Sequence, residues 1–564
     1  MTDSQDTDGA AAEWSLRPWL LATLFGIAGV LVWWISDDFH YRPAPWRAAL
    51  TALTFFAPFA LAFTLEPNRR AGPLLFAALI GVIMAGIAWR VASAEPGYDT
   101  AGFWLAAGIV AIALALPLFQ AGFHRRRWQT SYAETHYFVW TDAISAGGAL
   151  AFVGLAWLVA VLLSQLFQAI EIDFLRELLR ESWFGWLFSG VAFGAALGTL
   201  RNQIKVLGTL QKVVMLVFAL LAVPLAIALV LFLLAVALSG LDVLWEATRS
   251  ATPLLLSFAA GSFVLANTVL RDSDVDASGS RIMRGAALVL ALGILPLSIL
   301  AAISMGTRIA QHGLSPERIW GLIAILVAVF YGVAYFVAGL RSLKHGWDRL
   351  RQANLHLAVA TCVLALLLAM PVLDFGAIAA RNQIGRLAAG KVSAEDFDYY
   401  ALRWDFGDAG RKALAKLTGN SDPEVARLAA ETQAEEARPS RWNRESTGDR
   451  TDRLGNLRMM FDDPALRKLV TSHIQSNRFT CTNPCVVFDL GPVDEKRHKF
   501  AITEQGMVNP ITLSSDDDSF GLDVMGAEVV DEVPEQAADS TVEIREWTGR
   551  RVYIDGKPVG QPFE

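Results

Sequence analysis

The sequence predicts a mainly α-helical, polytopic transmembrane helical bundle of about 11 spans, followed by a soluble helical segment and a small antiparallel β module. Of its 564 residues, 54% are hydrophobic and only 18% are charged, which departs from soluble proteins in the direction of membrane proteins. The apolar residues gather into runs of roughly 20 residues, the length at which a helix crosses a bilayer. From Phe479 onward the pattern changes to short, partly alternating segments that are typical of strands.

Eleven apolar runs are long enough to form spans. An acidic stretch precedes the first run, and this favours a retained span over a cleaved signal peptide. The longest run contains Pro224 and is too short for two spans, so we expect one tilted or kinked helix. The expected spans are Trp19–Ile35, Ala48–Leu65, Pro73–Val91, Ala101–Phe119, Ala143–Phe167, Trp183–Leu200, Val213–Leu238, Pro253–Leu270, Gly285–Met305, Ile319–Leu340 and Leu355–Pro371.

The distribution of lysine and arginine over the short loops predicts the orientation, because cytoplasmic loops carry an excess of these residues. Loops 67–70, 124–127, 201–205, 271–284 and 341–351 are cation-rich, and they alternate with 94–99, 171–181, 242–252 and 308–318. The turn at 308–318 is the one cation-rich exception in the second group. We therefore expect a protein of the bacterial inner membrane with a cytoplasmic N-terminus and, after 11 spans, an extracytoplasmic C-terminal domain.

Four regions are expected: a disordered tip at 1–16, the transmembrane bundle at 17–371, a soluble helical domain at 372–477 and a small β domain at 478–564. Residues 438–456 read as a linker. Up to Pro371 there are 24 Lys and Arg against 22 Asp and Glu, and from Val372 onward there are 24 against 33, giving +2 and −9. The acidic tail argues against a nucleic-acid partner. The expected partners are the lipid bilayer and an envelope protein or lipid.

The three cysteines are too few for a disulfide scaffold. Cys362 lies in an apolar run and is expected to pack there. Cys481 and Cys485 are compatible with a disulfide, half of a metal site or two free thiols. The remaining ligands of a zinc site are missing at the usual spacing, and outside the cytoplasm a disulfide is the natural state.

Polar residues inside spans are the places where a transport pathway would be expected. The apolar centres of the spans contain no Asp, Glu, Lys or Arg. Asn267 and Thr268 are the main intrusion, and they indicate either a polar pathway or, more commonly, hydrogen bonds between packed helices. His124, Glu134, His136 and Asp142 precede the fifth expected span, but their spacing fits no metal motif. Neither a catalytic constellation nor a cofactor-binding motif is found, so no catalytic, cofactor-binding or metal residue is assigned.

The turn around residues 308–318 has strong local signals. Gly313 suits a turn, Ser315 a helix N-cap and Pro316 the first helical position. Arg308 and Arg318 flank the turn, and we weigh two roles for them: an interaction with lipid phosphate, or a salt bridge to an acidic tail that folds back.

The chain resembles a bacterial membrane-protein family catalogued as domain of unknown function 4153. The resemblance is carried by Arg308-Ile-x-x-x-Gly-Leu-Ser-Pro-x-Arg with the apolar helix after it, by Pro224, and by the exit at Pro371 with the helix that holds Gln383 and Arg386. The family's turn usually has Tyr where this chain has His312, and Thr where it has Ser315. The resemblance is best over 200–417, leaves out the β module and implies many spans with no established activity.

The sequence is compatible with three functions. The first is a non-enzymatic inner-membrane protein that supports or senses the cell envelope through its exported tail. The alternative is a secondary transporter or lipid translocase, supported by the number of spans, Pro224 and the polar pair Asn267 and Thr268. An intramembrane metalloenzyme would depend entirely on the cluster from His124 to Asp142.

Overall fold

A computed structural model describes most of the chain, and it forms two compact units, residues 1–434 and 435–564. Each unit is presented by itself. The described residues are 14–36, 43–67, 70–94, 100–240, 251–272, 279–345, 347–435, 453–477, 480–494, 497–504, 507–514, 550–554 and 557–563.

Eleven helices in the described part of the first unit are long and apolar enough to cross a membrane, and each coincides with one expected span. The protein is therefore a multi-pass membrane protein. The long apolar run at Val213–Leu238 is a single helix with Pro224 inside it. The spanning helices are α1 (Arg17–Ser36), α2 (Pro45–Thr64), α3 (Ala71–Ser93), α4 (Ala101–Gln120), α6 (Tyr132–Gln168), α8 (Ser182–Asn202), α9 (Ile204–Ser239), α10 (Ala251–Leu270), α11 (Arg281–His312), α12 (Pro316–His345) and α13 (Asp348–Ala369); α5 (Phe123–Arg126) and α7 (Phe174–Arg180) are short connecting helices.

The spanning helices differ in how much of their surface faces protein. Half of the most apolar window of α11 is buried, because α9, α10 and α12 pack around it. Only 11% of the corresponding window of α6 is buried, and its exposed side chains include Leu150, Leu155 and Leu158. Exposed leucines of this kind need an apolar surrounding, so the outward face of α6 is suited to lipid.

Helices α1 and α8 approach each other through glycines spaced four residues apart. A Cβ atom at Gly190 would lie 2.3 Å from the carbonyl oxygen of Phe25, and one at Gly194 would lie 2.2 Å from that of Leu21. Small residues at this spacing let two backbones touch, which is a common way to join membrane helices. The same glycines lower the mean hydropathy of the run at 183–200. The residues that make this span harder to recognise from sequence are therefore the ones that pack it against α1.

Past the last span, the first unit continues as a small helical segment. It comprises α14 (Phe375–Ala388), a π-helical turn at Ala401–Asp405, α15 (Gly407–Leu417) and α16 (Pro423–Ala434). A shared core of Ala379, Leu402, Leu414 and Ala429 holds these helices together. Asp374 caps the start of α14 by accepting a hydrogen bond from the backbone N–H of Ala377.

The described part of the second unit includes a helix, Pro464–Ser476, and a mixed four-stranded sheet of order β1-β2-β3-β4. Its elements are β1 (Leu457–Met459), α17 (Pro464–Ser476), β2 (Cys485–Pro492), β3 (Arg497–Glu504), β4 (Met507–Ser514), and a separate antiparallel pair, β5 (Arg550–Ile554) and β6 (Lys557–Phe563). The sheet is not wholly antiparallel as expected, because β1 pairs parallel with β2. A parallel pair needs a crossover, and α17 supplies it. The expected strand at 542–547, the turn residues 548–549 and 555–556, and most of the expected linker lie outside the described residues.

Candidate functional site

The turn between α11 and α12 closes on itself through Gly313 and Arg318. Gly313 has φ 73° and ψ −171°, a backbone conformation that is essentially confined to glycine. The side chain of Arg318 donates hydrogen bonds to the carbonyl oxygens of His312 (3.2 Å) and Gly313 (2.6 Å). Ser315 caps α12 by accepting from the backbone N–H of Arg318 at 3.3 Å. The last carbonyl groups of α11, which have no partner within the helix, are therefore met by a cation, the charge that a helix C-terminus favours.

Helix α14 lies against this turn and binds its backbone. Gln383 donates to the carbonyl oxygens of His312 (2.9 Å) and Leu314 (2.8 Å). Arg386 donates to those of Ala310 (3.1 Å) and Gln311 (2.7 Å), and Asn382 accepts from the N–H of Leu314 (2.9 Å). We call these five hydrogen bonds the turn clamp. It brings together in space the two stretches, 308–318 and 383–386, that are 65 residues or more apart in the sequence.

The hydrogen bonds of Arg318 to the carbonyl oxygens of His312 and Gly313 explain one cation of the exception at 308–318. One of the two roles considered for Arg308 and Arg318, beside an interaction with lipid phosphate, is a salt bridge to the acidic tail. The contacts of the clamp are instead made by an amide, a guanidinium and an asparagine of α14 with backbone groups. Arg318 serves the helix C-terminus, while Arg308 is exposed on the last turns of α11.

Replacing Gly313 with alanine is expected to destabilise the turn clamp by about 1–3 kcal/mol, the usual cost of forcing such a backbone conformation on a residue with a Cβ atom. The added Cβ would also lie 2.6 Å from Cδ of Arg386 and 2.7 Å from Nε2 of Gln383. The apparent melting temperature of the detergent-purified chain measures the effect. Gly306→Ala is the matched control, because no atom lies within 4 Å of its Cβ position on the same helix. Equal melting temperatures for the two variants would contradict the role of Gly313.

Asn267 lies at the centre of a buried polar cluster that joins four helices. Its amide donates to the Tyr335 hydroxyl (2.6 Å) and to the carbonyl oxygen of Phe263 (2.7 Å). Its oxygen accepts from the amide of Asn354 (3.1 Å) and from the hydroxyl of Tyr132 (3.5 Å). Thr268, the other residue of the predicted polar pair, donates to the carbonyl oxygen of Leu265 within α10 at 2.7 Å. These contacts favour packing between helices over an open pathway at Asn267.

Asn267→Leu is expected to lower stability by about 1–2 kcal/mol, because it leaves the buried amide of Asn354 and hydroxyl of Tyr335 short of a partner. Thr268→Val should change stability much less, since it removes one bond within a single helix. Thermal unfolding of both purified variants tests this difference. A larger loss for Thr268→Val would show that the cluster is assigned to the wrong residue.

At the ends of α2 and α8, a second network surrounds a buried ion pair. Arg201 bonds Asp142 at 2.9 Å, with side chains 13% and 14% exposed, and also donates to the carbonyl oxygen of Phe63 at 2.8 Å. Gln120 donates to the other oxygen of Asp142. Arg17 donates to the carbonyl oxygens of Arg201 (3.1 Å) and Leu65 (3.3 Å). Five helices are thereby joined by charged residues that the apolar pattern of the spans did not reveal.

The four residues once weighed as a metal cluster have separate partners. Arg125 donates to His124, Arg126 pairs with Glu134 at 2.7 Å, and Trp140 donates to His136 at 3.1 Å, while Asp142 belongs to the Arg201 network. Burial and the neighbouring Arg125 lower the pKa of His124. Three of the residues lie inside α6, which begins at Tyr132, eleven residues before the expected span. Within the described ranges, no group of three or more His, Cys, Asp and Glu could hold a metal ion.

In the second unit, Cys481 and Cys485 form a disulfide, with Cα atoms 5.2 Å apart. Both cysteines are buried and pack with Val470, Val487 and Phe500. The disulfide therefore links the entry of β2 to the core between α17 and the sheet.

Contacts between helix ends sort the bundle into two faces. The turn face holds the turn clamp together with Arg90, which donates to the carbonyl oxygen of Ala369 at 2.8 Å. The arginine face holds Arg17, Asp142 and Arg201. Consecutive spans run in opposite directions across the bilayer. The helix ends that meet on each face are therefore ends that the loop charges predict to lie on the same side of the membrane.

Comparison with known proteins gives one match. The model of the family described as domain of unknown function (DUF4153) matches residues 24–417, which include the turn clamp, Asn267 and the ion pair of Asp142 and Arg201, but not Arg17. No curated protein and no solved structure matches. The match extends well beyond the 200–417 stretch on which the resemblance was recognised and covers more than half of the chain. This multi-pass membrane protein therefore belongs to the DUF4153 family.

Proposed function

We propose that the protein is a non-enzymatic component of the bacterial inner membrane whose C-terminal segment lies outside the cytoplasm and supports or senses the cell envelope. The turn clamp carries this proposal. Five hydrogen bonds tie α14 to the loop between two spans, so the helical segment is a fixed continuation of the bundle and not a freely tethered tail. A fixed connection is what the transmission of load or of a signal between bundle and tail requires.

Two further observations support the exported position. Arg201, from the cation-rich loop 201–205, belongs to the arginine face, and lysine and arginine favour the cytoplasmic side. The Cys481–Cys485 disulfide is typical of proteins outside the reducing cytosol. The alternative is transport or lipid translocation. Asn267 gives it little support, because its amide nitrogen donates to Tyr335 and its amide oxygen accepts from Asn354 within the bundle.

A complementation experiment tests the proposal in a strain whose own copy of the gene is deleted. We expect the full chain to restore resistance to an envelope-active detergent, and expect a chain ending at Ala434 to fail although it inserts normally. Gly313→Ala should complement poorly, whereas the matched Gly306→Ala chain should complement fully. Full resistance from the chain ending at Ala434 would overturn the proposed role of the C-terminal unit.

A further inference from the structure

A cavity of about 390 Å³ lies on the turn face, where the bundle meets the helical segment. The bundle contributes Arg90 and Trp104, and the helical segment contributes Trp404, Asp408 and Arg411. Residues 371–375, between the last span and the start of α14, also line the cavity. On this connection Val372 and Leu373 remain 63% and 47% exposed. Apolar side chains at the level where spans end are suited to contact with the outermost part of lipid acyl chains.

The charges of the cavity wall balance. Two guanidinium groups, of Arg90 and Arg411, face two carboxylates, of Asp374 and Asp408. Arg90 lies over the Trp104 ring, 3.6 Å from its centroid, and donates to the carbonyl oxygen of Ala369, so it is held by the bundle. Asp374 is committed to the cap of α14. Arg411 bonds Asp408, and this pair is the part of the wall that we expect to rearrange around a ligand.

This pair is easily opened. The Asp408 side chain is 79% exposed, so water competes for its carboxylate and weakens the ion pair. Partial burial lowers the pKa of Arg411, which is 22% exposed on its side chain. A phosphate can accept from the Arg411 guanidinium in two places, a stronger arrangement than a single point charge provides. An ammonium on the same ligand would then meet the carboxylate of Asp408.

Two indole rings complete the wall. Trp104 and Trp404 give the cavity aromatic surface at the level of the bilayer interface, where indoles are enriched because they combine an apolar ring with one donor. Within the described part of the chain, the indole N–H of Trp404 is buried without an acceptor. A small rotation of this ring would let a ligand oxygen in the cavity satisfy it.

We propose that this cavity binds the headgroup of a zwitterionic glycerophospholipid of the phosphoethanolamine type, with the phosphate on Arg411 and the ammonium on Asp408. Because two guanidinium groups and two carboxylates line the cavity, a headgroup that carries both charges suits it better than an anionic headgroup. The exposed Val372 and Leu373 favour a lipid over a soluble ester. This proposal rests on the proposed envelope role and adds to it a ligand where the bundle meets the helical segment.

Native mass spectrometry of the detergent-purified full chain tests the site, with titrations of dioleoyl phosphatidylethanolamine and dioleoyl phosphatidylglycerol. We expect Arg411→Ala to weaken phosphatidylethanolamine binding about tenfold or more, since it removes a charge-assisted contact. Arg427→Ala is the matched control, an exposed arginine of α16 that pairs with Glu424 and Glu431 away from the cavity. Equal binding by the Arg411 and Arg427 variants would overturn the site.

A second variant separates binding from folding. Asp408→Asn alters an exposed side chain, and we expect it to remove the preference for phosphatidylethanolamine over phosphatidylglycerol, a ratio that partial unfolding does not change. An unchanged ratio would overturn the assignment of the ammonium. Glycerophosphoethanolamine, which has no acyl chains, is titrated as a third ligand. Weaker binding than that of phosphatidylethanolamine supports a lipid ligand, and equally tight binding overturns it. Lipid binding and membrane sidedness are measured separately, so failure of this site leaves the proposed orientation intact and the reverse also holds.

Discussion

Arg201→Ala is expected to lower the free energy of unfolding by about 3–5 kcal/mol, which is the usual result of removing one partner from a buried ion pair. The carboxylate of Asp142 would keep only the hydrogen bond from Gln120 and lose its countercharge. The carbonyl oxygen of Phe63, at the end of α2, would lose its donor as well. Thermal unfolding of the purified variant should show this loss directly.

The control for this prediction is Arg126→Ala. Arg126 pairs with Glu134 at 2.7 Å, a shorter distance than that of the buried pair, but the two side chains are 55% and 45% exposed. Exposed pairs contribute only about 0–1 kcal/mol, so its melting temperature should stay close to that of the unaltered chain. The double variant Arg201→Ala, Asp142→Ala should recover part of the loss. Similar losses for Arg201→Ala and Arg126→Ala would show that burial does not set the strength of the pair.

Gly194→Ala is expected to cost about 3 kcal/mol, the upper part of the range for overpacking a tight contact. The added Cβ would lie 2.2 Å from the carbonyl oxygen of Leu21, and backbone atoms cannot turn aside as a side chain does. Helices α1 and α8 would have to separate, which weakens their contact along its whole length. Apparent melting temperature and retention of the monodisperse protein after heating report the change.

Gly154→Ala is the matched control, because no atom lies within 4 Å of its Cβ position on α6. It should leave stability unchanged or slightly improved, since alanine favours a helix over glycine. A normal melting temperature for Gly194→Ala would contradict direct backbone contact between α1 and α8.

The spans could be predicted because the length of an apolar run is a local property, and all 11 expected runs are helices. Contacts between helices could not be predicted in the same way. The glycines of α8 lower its hydropathy and so weaken its span signal, yet they are the residues that bring it against α1. Arg318 contradicts the charge pattern of the loops because it caps a helix, a role that depends on the geometry of the turn.

In the second unit, strand pairing likewise could not be predicted from local sequence patterns. A strand of three residues, β1, has too little pattern to be recognised, and its parallel pairing depends on the crossover through α17. Pro510 argues against a strand at 507–514, because proline lacks the N–H that a central ladder needs. Strand β4 nevertheless pairs with β3, and it tolerates Pro510 because it is an edge strand of the sheet.

The side of the membrane on which the C-terminus lies decides whether the C-terminal unit can act in the envelope. Alkaline phosphatase and a green fluorescent protein can each be fused to the end of the full chain and expressed in bacterial cells. We expect an active phosphatase and a dark fluorescent protein, because 11 spans from a cytoplasmic N-terminus would place the C-terminal unit outside the cytoplasm. A fluorescent fusion with an inactive phosphatase would place that unit in the cytoplasm and contradict the proposed role in the envelope.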